Sequence, residues 1–267
     1  MSWSVCTKSL LGLYYFSQED SKTVEIVTNL SEAGELKMLN HCKNSQIAIN
    51  LNLCIGKIDD FKKYNRENLY DFFPKFFERN KNDYKEEYDV IFDEIKKYEK
   101  IRFIFNEYNS NSILNIYYCI YRFYNNIKDK TISLAEFDFH KKNKEKYEYA
   151  CENEKILTLE EIENYKLKWE EELNKNSEVR NIENGEIKDY SINDITLKIL
   201  DFIKMNRPKD TYELILELAQ SNILNIQSGL FIYNYIVEYM IAHEIIKTDN
   251  SKKLALNNQI RFEKIIL

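Results

Sequence analysis

Ile101-Arg102-Phe103-Ile104-Phe105, the polar turn Asn106-Glu107-Tyr108-Asn109-Ser110, a run to Ile127, and then Thr131 to Phe137 form the stretch whose reading decides the fold. Within the run, Ile113, Ile116, Tyr117, Ile120, Tyr124 and Ile127 recur at helical spacing, so the helix presents an apolar side to a sheet. The two short apolar clusters that bracket it read as strands. A strand, a covering helix and a second strand require a crossover connection, which makes neighbouring strands parallel.

The same pattern extends toward the N-terminus. Residues Val24 to Thr28 read as a strand, Asn29 to Ser31 supply turn and N-cap chemistry, and Glu32 to His41 is amphipathic. Gln46 to Leu53 alternates as a further strand, and a loop with Gly56 leads to a charged helical region from Arg66 to Tyr98, interrupted at Pro74. The expected first domain, residues 1–140, is therefore α/β: a four-stranded, mostly parallel, Rossmann-like sheet flanked by helices. Residues 1–16 have no assigned place in it.

Residues 141–187 are expected to form a charged connection, an acidic helix and the start of a hairpin. Thr158 with Glu161 three residues later is a capping box, and Asn184-Gly185 is a hairpin turn of the primed type. Residues 188–267 form a smaller, mainly helical, winged-helix-like domain. It comprises helical runs near 191–206, 209–220 and 228–243, with a second hairpin between Ile245-Ile246 and Leu254 to Leu256.

Composition removes several functions. The chain has 267 residues and only 5 Gly and 2 Pro, too few for a glycine-rich phosphate loop, and the standard dinucleotide, nucleotide, serine-hydrolase and zinc-protease motifs are absent. Lys+Arg against Asp+Glu is 23 to 23 over residues 1–150, 5 to 11 over 151–187 and 10 to 10 over 188–267. No segment has the basic surplus that phosphate neutralisation needs, which argues against nucleic acid. Five widely spaced cysteines without a Cys-x-x-Cys pair point to reduced thiols and a cytoplasmic protein. No apolar run reaches membrane-spanning length, and neither a metal site nor a particular cofactor is indicated.

The ordering resembles a bacterial tandem of two domains of unknown function, the N-terminal one being family 1835. The residues that carry the likeness in the first half are Ser31 to Leu36, the loop Leu53-Cys54-Ile55-Gly56, and Phe105 to Asn109 before a long apolar helix. In the second half they are Trp169-x-x-x-Leu173, Val179-Arg180, Gly185, and Asp194 before Leu197 to Ile199. The likeness covers roughly residues 24–260, and it implies a fold and a domain order without a reaction. Where relatives commonly read Asp-Asp-Leu-Ser-x-Gly-Pro, this chain has Leu51 to Lys57 without the acids, the serine or the proline. Any function those groups serve in relatives is in doubt here.

In an open parallel sheet, ligands bind beyond the carboxyl ends of the strands. That rule nominates Asn29, Ser31 and Gly34 in the first loop, Gly56 and Lys57 in the second, and Asn106 in the third, as groups holding a small polar or anionic ligand. Each also has a plainer reading: Ser31 as an N-cap, Gly34 as a close-packing residue, Gly56 as a turn, Asn106 as a cap of the next helix. Glu136-x-Asp138-x-His140 would place two carboxylates and an imidazole on one face if the strand persists, a weak catalytic candidate. His41-Cys42 are sequence neighbours that project differently, and His243 reads as a helix-end group.

The helix near 228–243 carries no Lys or Arg, which argues against reading DNA. Leu230, Tyr233, Ile236, Val237 and Met240 form one apolar stripe, and Phe231, Tyr235 and Tyr239 form a second that packs inside the protein or meets a partner or second copy. The main expectation is thus ligand binding at the strand ends. A protein-interaction or regulatory module is the alternative, and a DNA-binding regulator a third.

Overall fold

The computed structural model describes residues 13–16, 21–28, 33–36, 44–49, 53–56, 58, 95–137, 143–221, 223–224, 230–248 and 265–266. They fall into two compact units. The first holds the described residues up to Leu53, Ile58, and those from 95 to Asn176; the second holds Cys54 to Gly56 and those from Ser177 on.

The first unit is built on one sheet. Its strands are β1 (Leu13–Phe16), β2 (Thr23–Val27), β3 (Ser45–Ile49), β4 (Lys100–Phe105), β5 (Thr131–Glu136) and β6 (Lys155–Ile156), in the spatial order β1-β3-β2-β4-β5-β6. The four central strands are parallel, and they coincide closely with the four expected from the alternation of apolar clusters. The sheet has six strands and not four because an antiparallel strand closes each edge: β1 on β3, and the two-residue β6 on β5. Residues 13–16 thereby find their place.

Chain order and spatial order together locate the turning point of the winding. From β2 the chain moves outward to β3; it then returns to the other side of β2 as β4 and continues outward to β5. The direction reverses between β2 and β4.

Helix α1 (Ser110–Ile127) joins β4 to β5 and is buried along much of its circumference, including Leu114, Tyr117, Tyr118, Cys119, Ile120 and Phe123. Two layers explain this, since α1 also packs against α3 (Leu159–Lys175), whose Trp169 is fully buried and meets the Tyr118 ring edge-on at 5.6 Å. Between them in sequence lies α2 (Asn143–Glu152), where Tyr147 and Ala150 join Val27, Leu36, Ile104, Ala135 and Phe137 in a core on one face of the sheet. The capping box of α3 is present in both directions, Thr158 Oγ1 accepting from Glu161 N and Glu161 Oε2 accepting from Thr158 N.

These facts correct the expected boundaries. The charged stretch expected as a connection before the acidic helix holds α2 and β6, which pairs with β5, and the expected acidic helix is α3, which covers α1; both belong to the first unit. Net charge misleads here because α3 needs only a narrow apolar stripe, Ile162 and Trp169, to anchor it.

The second unit contains the hairpin β7 (Val179–Glu183) and β8 (Glu186–Tyr190), then α4 (Ile192–Asn206), α5 (Thr211–Gln220) and α6 (Leu230–Ala242). It ends in a ribbon of β9 (Lys247–Thr248) with β10 (Ile265–Ile266). The hairpin turn has positive φ at both Asn184 (54°) and Gly185 (78°), as the primed turn demands. We expect Gly185→Ala to cost about 1 kcal/mol, since an L-residue resists that region even with open space around its Cβ; urea unfolding of the variant checks this. The partner of β9 is residues 265–266, and Leu254 to Leu256 lie outside the described residues. On α6, Tyr233, Ile236, Val237 and Met240 are buried as one stripe. Tyr239 stacks on His243 at 4.2 Å, and the side chains of Phe231 and Tyr235 lie outside the described residues.

Candidate functional site

At the turning point of the sheet the two neighbouring parallel strands end in polar residues. β2 runs into Thr28 and β4 into Asn106, both buried. Ser112, in the first turn of α1, stands between them, because the four-residue turn after β4 brings the helix back over the strand ends. A chain of donors with a single direction results. The Asn106 N–H donates to Ser112 Oγ at 3.2 Å, the Ser112 hydroxyl meets Thr28 Oγ1, and Thr28 Oγ1 donates to the Ile104 carbonyl at 3.3 Å.

The tier continues along the start of α1. Asn106 Oδ1 accepts from Tyr108 N at 2.9 Å, and Asn109 caps the helix by accepting from Asn111 N at 3.0 Å. Asn111 Oδ1 accepts from Leu53 N at 2.8 Å, and Asn115 Nδ2 donates to the Asn111 carbonyl at 2.7 Å. Asn106, Asn109, Ser110, Asn111, Ser112 and Asn115 are all buried, so a dense layer of amides and hydroxyls replaces the apolar packing that ordinarily lies over strand ends.

No family model, curated protein or solved structure matches the chain.

Of the positions nominated from sequence, Asn106 lies in this tier. Gly34 sits in the helical residues 33–36, exposed, and among the described residues no atom lies within 4 Å of a Cβ built there. Asn29, Ser31 and Lys57 lie outside the described residues. Gly56 has the expected positive φ, 94°, but it belongs to the second unit and not to the strand-end tier. There it forms a clasp: Gly56 N donates to the Glu178 carbonyl at 2.8 Å, Arg180 N donates to the Cys54 carbonyl at 2.7 Å, Ile55 bridges to Val179, and the fully buried Arg180 guanidinium donates to the carbonyls of Gly56 and Ser177. Burial pushes the adjacent Cys54 thiol up to about 12 despite the charge of Arg180, which leaves no thiolate for nucleophilic chemistry near neutral pH.

Of the Glu136, Asp138, His140 candidate only Glu136 is described. β5 ends at the exposed Glu136, and Asp138 and His140 lie outside the described residues.

A second polar feature had no counterpart in the sequence reading. Glu25 pairs in register with Gln46 on one side and Arg102 on the other, and Arg102 with Ser133, which sets one polar row across four parallel strands on a single face. The Glu25 carboxylate, fully buried, accepts from Asn44 Nδ2 (2.8 Å), Gln46 Nε2 (3.0 Å), Arg102 (2.7 Å) and the Tyr147 hydroxyl (2.5 Å). Arg102 also donates to Glu154 at 2.7 Å, and Glu154 accepts from Ser133 at 2.7 Å and from Lys100. The row ties α2 and the segment after it to the sheet at Tyr147 and Glu154. Buried parallel strands are usually near-continuous in apolar residues. Here alternate positions, Thr23 and Glu25, or Lys100 and Arg102, break the run.

Glu154 yields a pH prediction. Partial burial raises its pKa, but the hydrogen bonds from Arg102, Lys100 and Ser133 outweigh burial and bring it down to about 2. A carboxylate whose folded value is depressed contributes stability that is complete above its unfolded value and disappears as pH falls toward the folded one. Urea midpoints measured from pH 6 to pH 2 should therefore fall below about pH 5, and Glu154→Gln should flatten part of that fall. An unchanged slope in the variant would contradict the assignment.

Proposed function

We propose that the first unit binds a small polar ligand in the crevice beyond the carboxyl ends of β2 and β4. The observation that carries the reading is the coincidence of two independent features: the winding reverses between these strands, and the buried tier of Thr28, Asn106 and Ser112 lies where they end. Open α/β sheets bind ligands at such reversals because the loops diverge there and leave a cleft. Among the described residues the tier holds amides and hydroxyls, groups that orient a ligand by hydrogen bonds. The reading is accordingly one of recognition, with no reaction assigned. The second unit is read as winged-helix-like on the order of its three helices and terminal ribbon, and its helix α6 carries no Lys or Arg.

Thermal-shift screening of the full chain against small polar metabolites tests this. Hits are expected, and Thr28→Val, which keeps the side-chain shape and removes the hydroxyl, should abolish their stabilisation. Hits that act equally on the variant would place the ligand elsewhere.

A further inference from the structure

We infer that the ligand of this crevice carries an oxyanion, a phosphate or carboxylate, and that Lys146 receives it in exchange for Glu35. The inference rests on the ligand-binding reading above and names the chemistry of its ligand. The tier over β2 and β4 is made of uncharged amides and hydroxyls, so a charge for the ligand has to come from beside it. α2 brings one. The helix runs back along the sheet from the carboxyl end: Lys146, near its start, stands over the ring of Phe137, the residue after β5, with Nζ 4.4 Å from the centroid, and Glu154, just past its last turn, meets Lys100 at the start of β4. Nζ also lies 3.8 Å from the carboxylate of Glu35, in the helical residues 33–36 that follow β2. In the sheet β4 lies between β2 and β5. An ammonium that reaches groups beyond both neighbours of β4 is therefore set at the carboxyl end of β4, on the face that α2 covers.

Lys146 is only 8 % exposed, and an ammonium taken that far out of water needs a counter-charge beside it. Glu35 is a loose one: at 3.8 Å the contact is longer than a hydrogen bond, and the carboxylate is 37 % exposed. A pair with one partner in water is worth little, so a ligand oxyanion that accepts charge-assisted hydrogen bonds from Nζ displaces it at small cost. The Phe137 ring attracts the cation through its face and keeps it in place during the exchange. The neighbouring Tyr147 hydroxyl anchors α2 separately, on Glu25. Exchange at Lys146 thus requires no movement of the helix.

The test titrates the full chain with inorganic phosphate and, separately, with acetate, at constant ionic strength, and follows amide NMR shifts. Saturable shifts at Glu35, Asn106, Phe137 and Lys146 are expected in the wild type, and the tighter of the two anions names the group. Lys146→Met, which keeps the stem on Phe137 and removes the charge, should weaken that binding at least about tenfold. Glu35→Gln should tighten it about two- to fivefold, because the competing carboxylate is gone. Glu107→Gln, which removes an exposed charge from the turn after β4, should tighten it less. A purely structural ion pair predicts unchanged anion affinity in both Lys146→Met and Glu35→Gln. If Lys146→Met does not fold, Glu35→Gln decides alone. Unchanged or weaker binding in Glu35→Gln, or no saturable shift at these amides in the wild type, would overturn the inference; so would equal tightening in Glu107→Gln, since a general field effect would then suffice. Glycerol and glucose, run in parallel, separate the two levels. If these neutral probes shift the amides of Thr28, Asn106 and Ser112 and neither anion does, the anion assignment fails and ligand binding at the crevice stands. If no probe does, both fail.

Discussion

Glu25→Ala should destabilise the first unit by about 3–5 kcal/mol, the range for removing one partner of a buried ion pair. The alanine would leave the guanidinium of Arg102, itself only 12 % exposed, with Glu154 as its sole remaining carboxylate among the described residues. It would also remove the acceptor of Asn44 Nδ2, Gln46 Nε2 and the Tyr147 hydroxyl. Each buried donor stranded in this way costs about 1–3 kcal/mol. The row spans four strands, so the loss falls on the sheet as a whole and should appear as a lower urea midpoint with an unchanged slope. A double variant, Glu25→Leu with Arg102→Met, should recover only the part due to the unpaired guanidinium, because Asn44, Gln46 and the Tyr147 hydroxyl would still lack their acceptor. A loss below about 1 kcal/mol for Glu25→Ala would mean that the carboxylate is solvated and the row carries no load.

Arg180→Ala should lower the stability of the second unit by about 3 kcal/mol, from two buried carbonyls losing a charged donor at roughly 1–3 kcal/mol each. The acceptors are Gly56 and Ser177, and the guanidinium is fully buried among them. Lysine should not rescue, since a single ammonium cannot reproduce the planar fork that reaches two carbonyls at once. Hydrogen exchange locates the effect: the amides of Gly56 and Arg180, bonded to the carbonyls of Glu178 and Cys54, should lose protection ahead of those in α4. Uniform loss of protection would instead indicate a global defect.

Much of the sheet was legible because each central strand is a short apolar cluster and each connection is long enough to cross over. Val24 to Thr28, Ile101 to Phe105 and Thr131 to Phe137 match β2, β4 and β5 to within a residue or so at each end. The edge strands were not legible: β1 is four residues and β6 two, and such short segments exist only through the neighbour they pair with. The site was legible in part. Asn106 follows from the strand-end rule, whereas Thr28 reads as the last residue of a strand and Ser112 as one more position in a helix; only the closing of the turn between β4 and α1 brings them together. Gly56 announced its backbone conformation but not its role, because its partner Arg180 is 124 residues away. The polar row did leave a trace in the alternation of Thr23 with Glu25 and of Lys100 with Arg102, yet alternation ordinarily signals one solvated face. Its burial depends on α2, a helix too charged to nominate itself as a cover.

The central claim is that the reversal between β2 and β4 is where this protein meets its ligand. Amide NMR mapping of the strongest binder from the metabolite screen tests it most directly. The largest shifts should fall on Thr28, Asn106, Asn109, Asn111 and Ser112, with the amides of Gly56 and Arg180 unmoved. Shifts confined to the second unit, or spread over both units without a maximum at these residues, would contradict it.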